Sequence, residues 1–271
     1  MSATLLAIGA HPDNETMFAG GTLAWAAARG LTVRVLGVTR GEGGDVGEPP
    51  VATQEALGAA REAEERAAVA ALGLAGVDFL PFRDPLVQHT GLDPAPASAL
   101  FRIAAMPDEF EGAVVATLRA LRPAVLLTHG AAGEYGHPQH VYTHEIVRRA
   151  FDSAADGARF PEAGAPHTVA ALYTWAAGYP TGGDQRLERL LNVAEPADWL
   201  IDLDDATLDR KERAAQAHRS QNPLFLRHAE GQPLRAMLLR WESLRLVAAH
   251  VELPDPLAAL LASDPLVSRA N

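Results

Sequence analysis

The stretch Thr4-Leu5-Leu6-Ala7-Ile8-Gly9-Ala10-His11-Pro12-Asp13-Asn14-Glu15 decides how the rest of the chain is read. Its apolar first half is short and almost unbroken, as in a strand buried on both faces of a sheet. A polar packet follows at once. Pro12 fixes its own φ and keeps His11 extended, so the packet cannot wind directly into the next helix. A His, an Asp, an Asn and a Glu therefore stand at the carboxyl end of a strand, where open α/β folds bind their ligands. Asp and Asn also favour helix N-termini for capping alone. A second packet tips the balance toward chemistry, and one follows at Gly136-His137-Pro138-Gln139-His140.

Outward from the first strand, the pattern alternates. Helices are expected over 17–29, 55–72, 110–121 and 138–151, the first two closed by Gly30 and Gly73 and the last opened by Pro138. Strands are expected over 31–38, 77–80 and 124–128 between them. Strands separated by helices imply a three-layer α/β/α, Rossmann-like, mostly parallel sheet with right-handed crossovers. Residues 152–166 read as a surface loop. Strands then follow over 169–175 and 199–203, joined by a polar connection containing Gly182-Gly183-Asp184. A helix runs from Asp204-Asp205 to about His218, and a last helix is expected over 234–247. No repeat or change of composition marks a boundary. The chain is read as one domain over 1–271, its C-terminal third adding elements that cover the sheet.

Composition narrows the function. The chain has 271 residues and a formal charge of −11, with an isoelectric point near 5.3, which speaks against nucleic acid or an anionic membrane as partner. Cysteine is absent, so neither a thiolate metal site nor a cysteine nucleophile exists, and any metal must be held by His, carboxylate or amide oxygen. No apolar run approaches the ~20 residues of a membrane span. With no secretory signal ahead of the first strand, a soluble cytoplasmic protein is expected. A homo-oligomer is compatible with all of this.

Three packets fall at the carboxyl ends of expected strands. The second, Thr39-Arg40-Gly41-Glu42-Gly43-Gly44, is rich enough in glycine for its backbone to approach a ligand closely. The third runs from Thr128 to His144 and contains Glu134, Tyr135, His137 and His140. Four of the ten histidines lie between positions 129 and 144, a clustering with little structural reason in an acidic chain. His137 and His140, three apart at a helix start, point to one side.

With these packets the chain resembles the LmbE-like, or PIG-L-like, family of zinc-dependent N-deacetylases, which remove acetyl groups from N-acetylglucosamine-containing molecules. The resemblance rests on His-Pro-Asp-x-Glu, Thr-x-Gly-Glu-x-Gly and Gly-His-Pro-x-His. Arg61-x-x-Glu64, Asp84, Lys211 and His218-x-Ser220-Gln221 support it in the family's order. It implies one zinc ion, or another divalent metal, held by His11, Asn14 and His140. Asp13 would be the general base that takes a proton from a zinc-bound water. His137 would donate to the oxyanion and leaving amine, and Tyr135 would assist at the carbonyl oxygen. Glu42, Arg61 and Asp84 would lie near the sugar pocket. Amide hydrolysis needs these parts: a nucleophile, a polarised carbonyl and a proton for the leaving nitrogen.

Two positions depart from the family. Asn14 stands where a metal-binding Asp is usual, and Gln139 where an Asp would tune neighbouring histidines. The first loses a charge beside the metal, and the second should leave His137 less basic. The leading expectation is hydrolysis of the N-acetyl group of a small glycoside, such as the N-acetylglucosaminyl malate of bacillithiol synthesis or a chitooligosaccharide. A family member that only binds sugar, with weak or no metal, is the alternative these departures motivate. Phosphate binding by the glycine loop is disfavoured, because both Gly-x-Gly-x-x-Gly spacing and a Walker lysine are missing. Trp25, Trp175 and Trp241 are read as core residues, and His89, His167 and His250 as structural. His129, following a strand at the active edge, stays open.

Overall fold

The computed structural model describes residues 3–84, 107–179, 191–223, 225, 233–238 and 240–270, with short strands at 87–88 and 91–92. His89 and Gly182-Gly183-Asp184 lie outside the described residues. The first strand, β1 (Thr4–Gly9), sits inside an eight-stranded sheet. The other strands are β2 (Thr32–Gly37), β3 (Gly76–Phe79), β4 (Val125–Thr128), β5 (Ala171–Trp175), β6 (Trp199–Asp202), β7 (Trp241–Ala249) and β8 (Val267–Arg269). Their order across the sheet is β8-β6-β7-β5-β4-β1-β2-β3. The five from β3 to β5 run parallel, and β7, β6 and β8 pair antiparallel at the other edge.

Side chains of β1 alternate between two apolar layers. Leu5 and Ala7 pack with α1 (Asn14–Ala28), while Leu6 and Ile8 pack with α3 (Pro107–Leu121) and α4 (Pro138–Ser153). Both faces being covered, the strand had to be apolar throughout. On the first face, α2 (Leu57–Leu72) and α5 (Asp205–Ala217) close on α1 around Leu72 through Ala24, Ala68 and Ala214, side chains small enough for near approach of the three helices. A short helix α6 (Pro256–Ser263) covers the far end of the same layer.

The last long helix expected over 234–247 is not there. Among the described residues of that span only Leu234–Met237 is helical, and Trp241–Ala249 is the strand β7, paired to β5 and β6. Leu, Arg and Ala favour a helix by only tenths of a kcal/mol per residue, and two strands needing a shared neighbour outweigh that. Trp25 and Trp175 are core residues as read, whereas Trp241 is 42% exposed at the start of β7. His167 and His250 serve structure, bonding the backbone oxygens of Pro123 and Val169.

What this topology does for function lies between β1 and β4. From β1 the chain proceeds to β2 and β3 on one side, then returns to place β4 on the other. The order reverses there, and the crevice beyond the carboxyl ends of β1 and β4 receives both His packets.

Candidate active site

The turn after β1 is held in an uncommon backbone conformation. Asp13 has φ 98°, in the region that favours glycine. Arg61, 3% exposed on α2, braces it from behind: its guanidinium donates to the Asp13 carboxylate (3.0 Å) and to the backbone oxygens of Pro12 (2.6 Å) and Gly41 (3.1 Å). A Cβ on Gly41 or Gly44 would lie 2.3 Å from that guanidinium. The glycine-rich loop thus admits Arg61 rather than a ligand. Arg61 itself, which the resemblance put near the sugar pocket, is buried under the turn.

Beneath Asp13 lies a second set of charges. Glu65 accepts the Asp13 N–H at 3.2 Å, and Glu64 accepts the Ser220 N–H and hydroxyl at 2.9 and 2.6 Å. Glu15, Glu65 and His218 offer ligand atoms within 4.8 Å of one another, all buried. Burial and the neighbouring Glu15 charge push the Glu65 carboxyl well up, so this pair keeps a proton. Burial likewise raises Asp13, to about 7, with Arg61 opposing and Glu15 adding to the rise.

Asn14 is the first residue of α1 and uses both ends of its amide. Its Oδ1 accepts the His11 N–H at 2.9 Å, and its Nδ2 donates to Asp13 at 3.0 Å. It does not cap the helix that follows.

His11 is ordered through Gln139 and Asp84. Gln139 Nε2 donates to Asp84 Oδ1 (2.6 Å), so its Oε1 turns toward His11 Nε2 in a close hydrogen bond. An amide oxygen only accepts, which places the proton on Nε2 and leaves Nδ1 with the lone pair. Burial first, then His137 and His140, push the His11 pKa well down, so the ring is neutral. Asp84 is raised by burial to about 6. It also interlocks with Glu42: Asp84 accepts the Gly43 N–H (3.2 Å), and Glu42 accepts the Asp84 N–H (3.0 Å). The effect expected of Gln139 on His137 is carried elsewhere. Its side chain faces His11 and Asp84, and only its backbone N–H touches His137 Nδ1 (3.3 Å).

His137 precedes α4 and is pushed down to about 3, by burial and then by His140 and His129. With Nδ1 accepting, the neutral ring carries its proton on Nε2 and can donate it outward. Its ring stacks on His140 (4.5 Å between centroids) and stands edge-on to His11 (5.1 Å). Tyr135 is 56% exposed and set edge-on to His137 and His140 at the rim.

Sequence reasoning placed Glu134 in the third packet without a role and left His129 open. Both are buried, and His129 stacks on His140 at 4.1 Å. Glu134 Oε2 accepts from His129 Nδ1 (2.9 Å) and His140 Nδ1 (2.7 Å). Burial alone would raise this carboxyl, but the two imidazoles outweigh it and hold it well below the usual range. His129 is pushed down to about 4 by burial and His140. The missed signal was a carboxylate set between Gly133 and Gly136, inside a packet read for its histidines.

Buried His and Glu donors therefore gather at the crevice, and His129, Glu134 and His140 lie within 4.8 Å of one another. In that group the Nδ1 atoms and the carboxylate already satisfy each other. The atom left over is His140 Nε2, buried with no hydrogen-bond partner among the described residues. A buried imidazole nitrogen with a free lone pair, its ring 5.4 Å from that of a second, neutral histidine, His11, is a donor set consistent with a metal ion.

Residues 6–151 match the family described as PIG-L: GlcNAc-PI de-N-acetylase. The chain is 35% identical over 243 residues to a 1D-myo-inositol 2-acetamido-2-deoxy-alpha-D-glucopyranoside deacetylase of Rhodococcus erythropolis, covering 80% of each. A deacetylase of the same name from Geodermatophilus obscurus is 36% identical over 248 residues, covering 81% of this chain and 83% of that one. Among solved structures, the N,N'-diacetylchitobiose deacetylase of Pyrococcus horikoshii shares the fold, with a TM-score of 0.64 at 17% identity over 96% of this chain and 89% of that one. With both His-Pro packets inside the matched region, the chain belongs to the PIG-L family of de-N-acetylases, hydrolases of a carbon–nitrogen amide bond.

Proposed function

We propose that the protein removes the N-acetyl group from a small N-acetylglucosaminyl glycoside, using one zinc ion held by His11, Asn14 and His140. The observation that carries this is the buried, unpartnered His140 Nε2 beside neutral His11, with Asp13 raised to about 7 on the adjoining turn. Zinc held there would polarise the amide carbonyl and lower the pKa of an attacking water. Asp13 takes the proton of that water, and its raised pKa suits it to work near neutral pH. His137 donates its Nε2–H as a hydrogen bond to the developing oxyanion, and the proton taken up by Asp13 passes on to the leaving amine. Tyr135, at the rim, assists at the same oxygen. Glu42, which accepts the Asp84 N–H, and Asp84 line the sugar side, and Arg61 positions Asp13. The relatives' names point to a glucosaminide of inositol. That favours a cyclitol aglycone over the malate glycoside or chitooligosaccharide first considered.

The test is acetate release from N-acetylglucosaminyl-inositol, N-acetylglucosaminyl-malate and N,N'-diacetylchitobiose by chelator-treated protein, with and without added zinc. Zinc-dependent release, fastest with the inositol glycoside, is expected. Sugar binding with no acetate released from any substrate would establish the alternative, a sugar binder. Asn14 and Gln139, both neutral and both engaged with His11, are the observations that favour it.

A further inference from the structure

Glu134 occupies a backbone conformation that an L-residue adopts at a cost. Its φ is 58° and its ψ −89°, outside even the left-handed helical region. Such strain persists only where the surroundings over-determine it, and it clusters at functional sites. Here the surroundings are specific. The Glu134 N–H donates to Asn192 Oδ1 (2.8 Å). Oε1 accepts from the Gly130 N–H (3.2 Å) and Asn192 Nδ2 (3.4 Å), and Oε2 accepts from His129 and His140. His129 in turn accepts the Ala10 N–H at Nε2 (3.1 Å), one residue before His11. The strained carboxylate thus connects the ends of β4 and β1, the two strands that border the crevice.

A carboxylate only accepts, so His140 must carry its proton on Nδ1 and present a lone pair at Nε2. That nitrogen is buried and has no partner among the described residues. The proposed ligands His11, Asn14 and His140 would offer only imidazole nitrogens and an amide oxygen, so a divalent metal among them would lack an anionic ligand. A carboxylate hydrogen-bonded to a ligating histidine raises its basicity and orients it. We propose that Glu134 is the positioning residue that supplies this missing charge from behind His140, compensating for the neutral Asn14. This rests on the metal site proposed above. The competing account is that Glu134 only ties down the turn at Gly130.

Zinc titrations of chelator-treated wild type, Glu134→Gln, Asn14→Asp and the double variant separate the two. Glu134→Gln should bind zinc ~10–100-fold more weakly. Asn14→Asp should tighten zinc more in the Glu134→Gln background than in wild type, because one charge substitutes for the other. Equal affinity of wild type and Glu134→Gln, or gains that add independently, would overturn the proposal. Should Glu134→Gln not fold, imidazole ¹⁵N spectra of the metal-free wild type decide, with His140→Gln identifying the signal. A proton on His140 Nδ1 is expected, and one on Nε2 sinks the idea. Wild type that binds no zinc while showing Nδ1–H would retire the metal site itself, and this inference with it.

Discussion

Asp13 and His137 stand on opposite packets, and burial moves them in opposite directions. It raises the carboxyl to about 7 and lowers the imidazole to about 3, because in each case the charged form loses its water. Asp13 would then set the acid limb of the rate profile, and Arg61 is the cation that restrains its rise. Replacing Arg61 with Gln removes that restraint, so the Asp13 pKa should climb further and the acid limb of kcat/KM should move about one pH unit or more higher. A limb that stays in place would exclude Asp13 as the ionising base. Asp13→Asn should lower kcat by ~10²–10⁴-fold with zinc content unchanged. His11→Ala and His140→Ala should each lose zinc and activity together, whereas His137→Ala should keep zinc and lose turnover. Zinc analysis of the purified variants checks this, and loss of zinc from His137→Ala would reverse the assigned roles.

Among the elements, α1 carries the heaviest constraints. It delivers Asn14 at one end, and near its middle it is tied to the sheet by a fully buried ion pair. Glu242 of β7 accepts from the Gly21 and Thr22 N–H groups (2.9 and 2.6 Å) and from Lys211 Nζ of α5 (2.6 Å). Removing one member of a buried pair leaves the other charge uncompensated, so Glu242→Gln should cost about 3–5 kcal/mol. Urea unfolding measures that loss, and a change below ~1 kcal/mol would show that the pair is dispensable. Because β7 holds α1 in this way, the strand that replaced an expected helix also helps fix where the first packet stands.

For the whole molecule, buried histidines and buried carboxyls pull stability in opposite senses with pH. His129 and His218, pushed to about 4 and about 3, refuse protons that the unfolded chain takes up near 6.5. The unfolded state then binds more protons, so stability falls as pH drops below ~6.5. Asp13 and Asp84, raised to about 7 and about 6, hold protons that the unfolded chain releases above ~4, so their contribution falls as pH rises toward those values. The metal-free protein should accordingly show a shallow Tm profile between pH ~4.5 and 6.5. Zinc, which competes with protons for imidazole, should make Tm climb with pH, adding about 2.7 kcal/mol at a hundredfold excess over Kd. Thermal melts with and without chelator check both curves, and identical profiles would argue against a zinc site in the folded chain.

By itself the sequence determined the parallel half of the sheet, since β1 and β4 are buried on both faces and must be apolar in runs. It also determined that the first His-Pro packet follows the end of β1 directly, because Pro12 keeps His11 extended and out of the next helix. What only the tertiary structure decided concerns partners distant along the chain. Glu242 falls inside an expected helix until the fold brings Lys211 beside it, and Arg61 reads as a pocket residue until the loop glycines admit it under Asp13. Glu134 reads as a loop carboxylate until the turn at φ 58° aims it between His129 and His140. A buried charge is stable only beside its partner, and the folded chain alone supplies that partner.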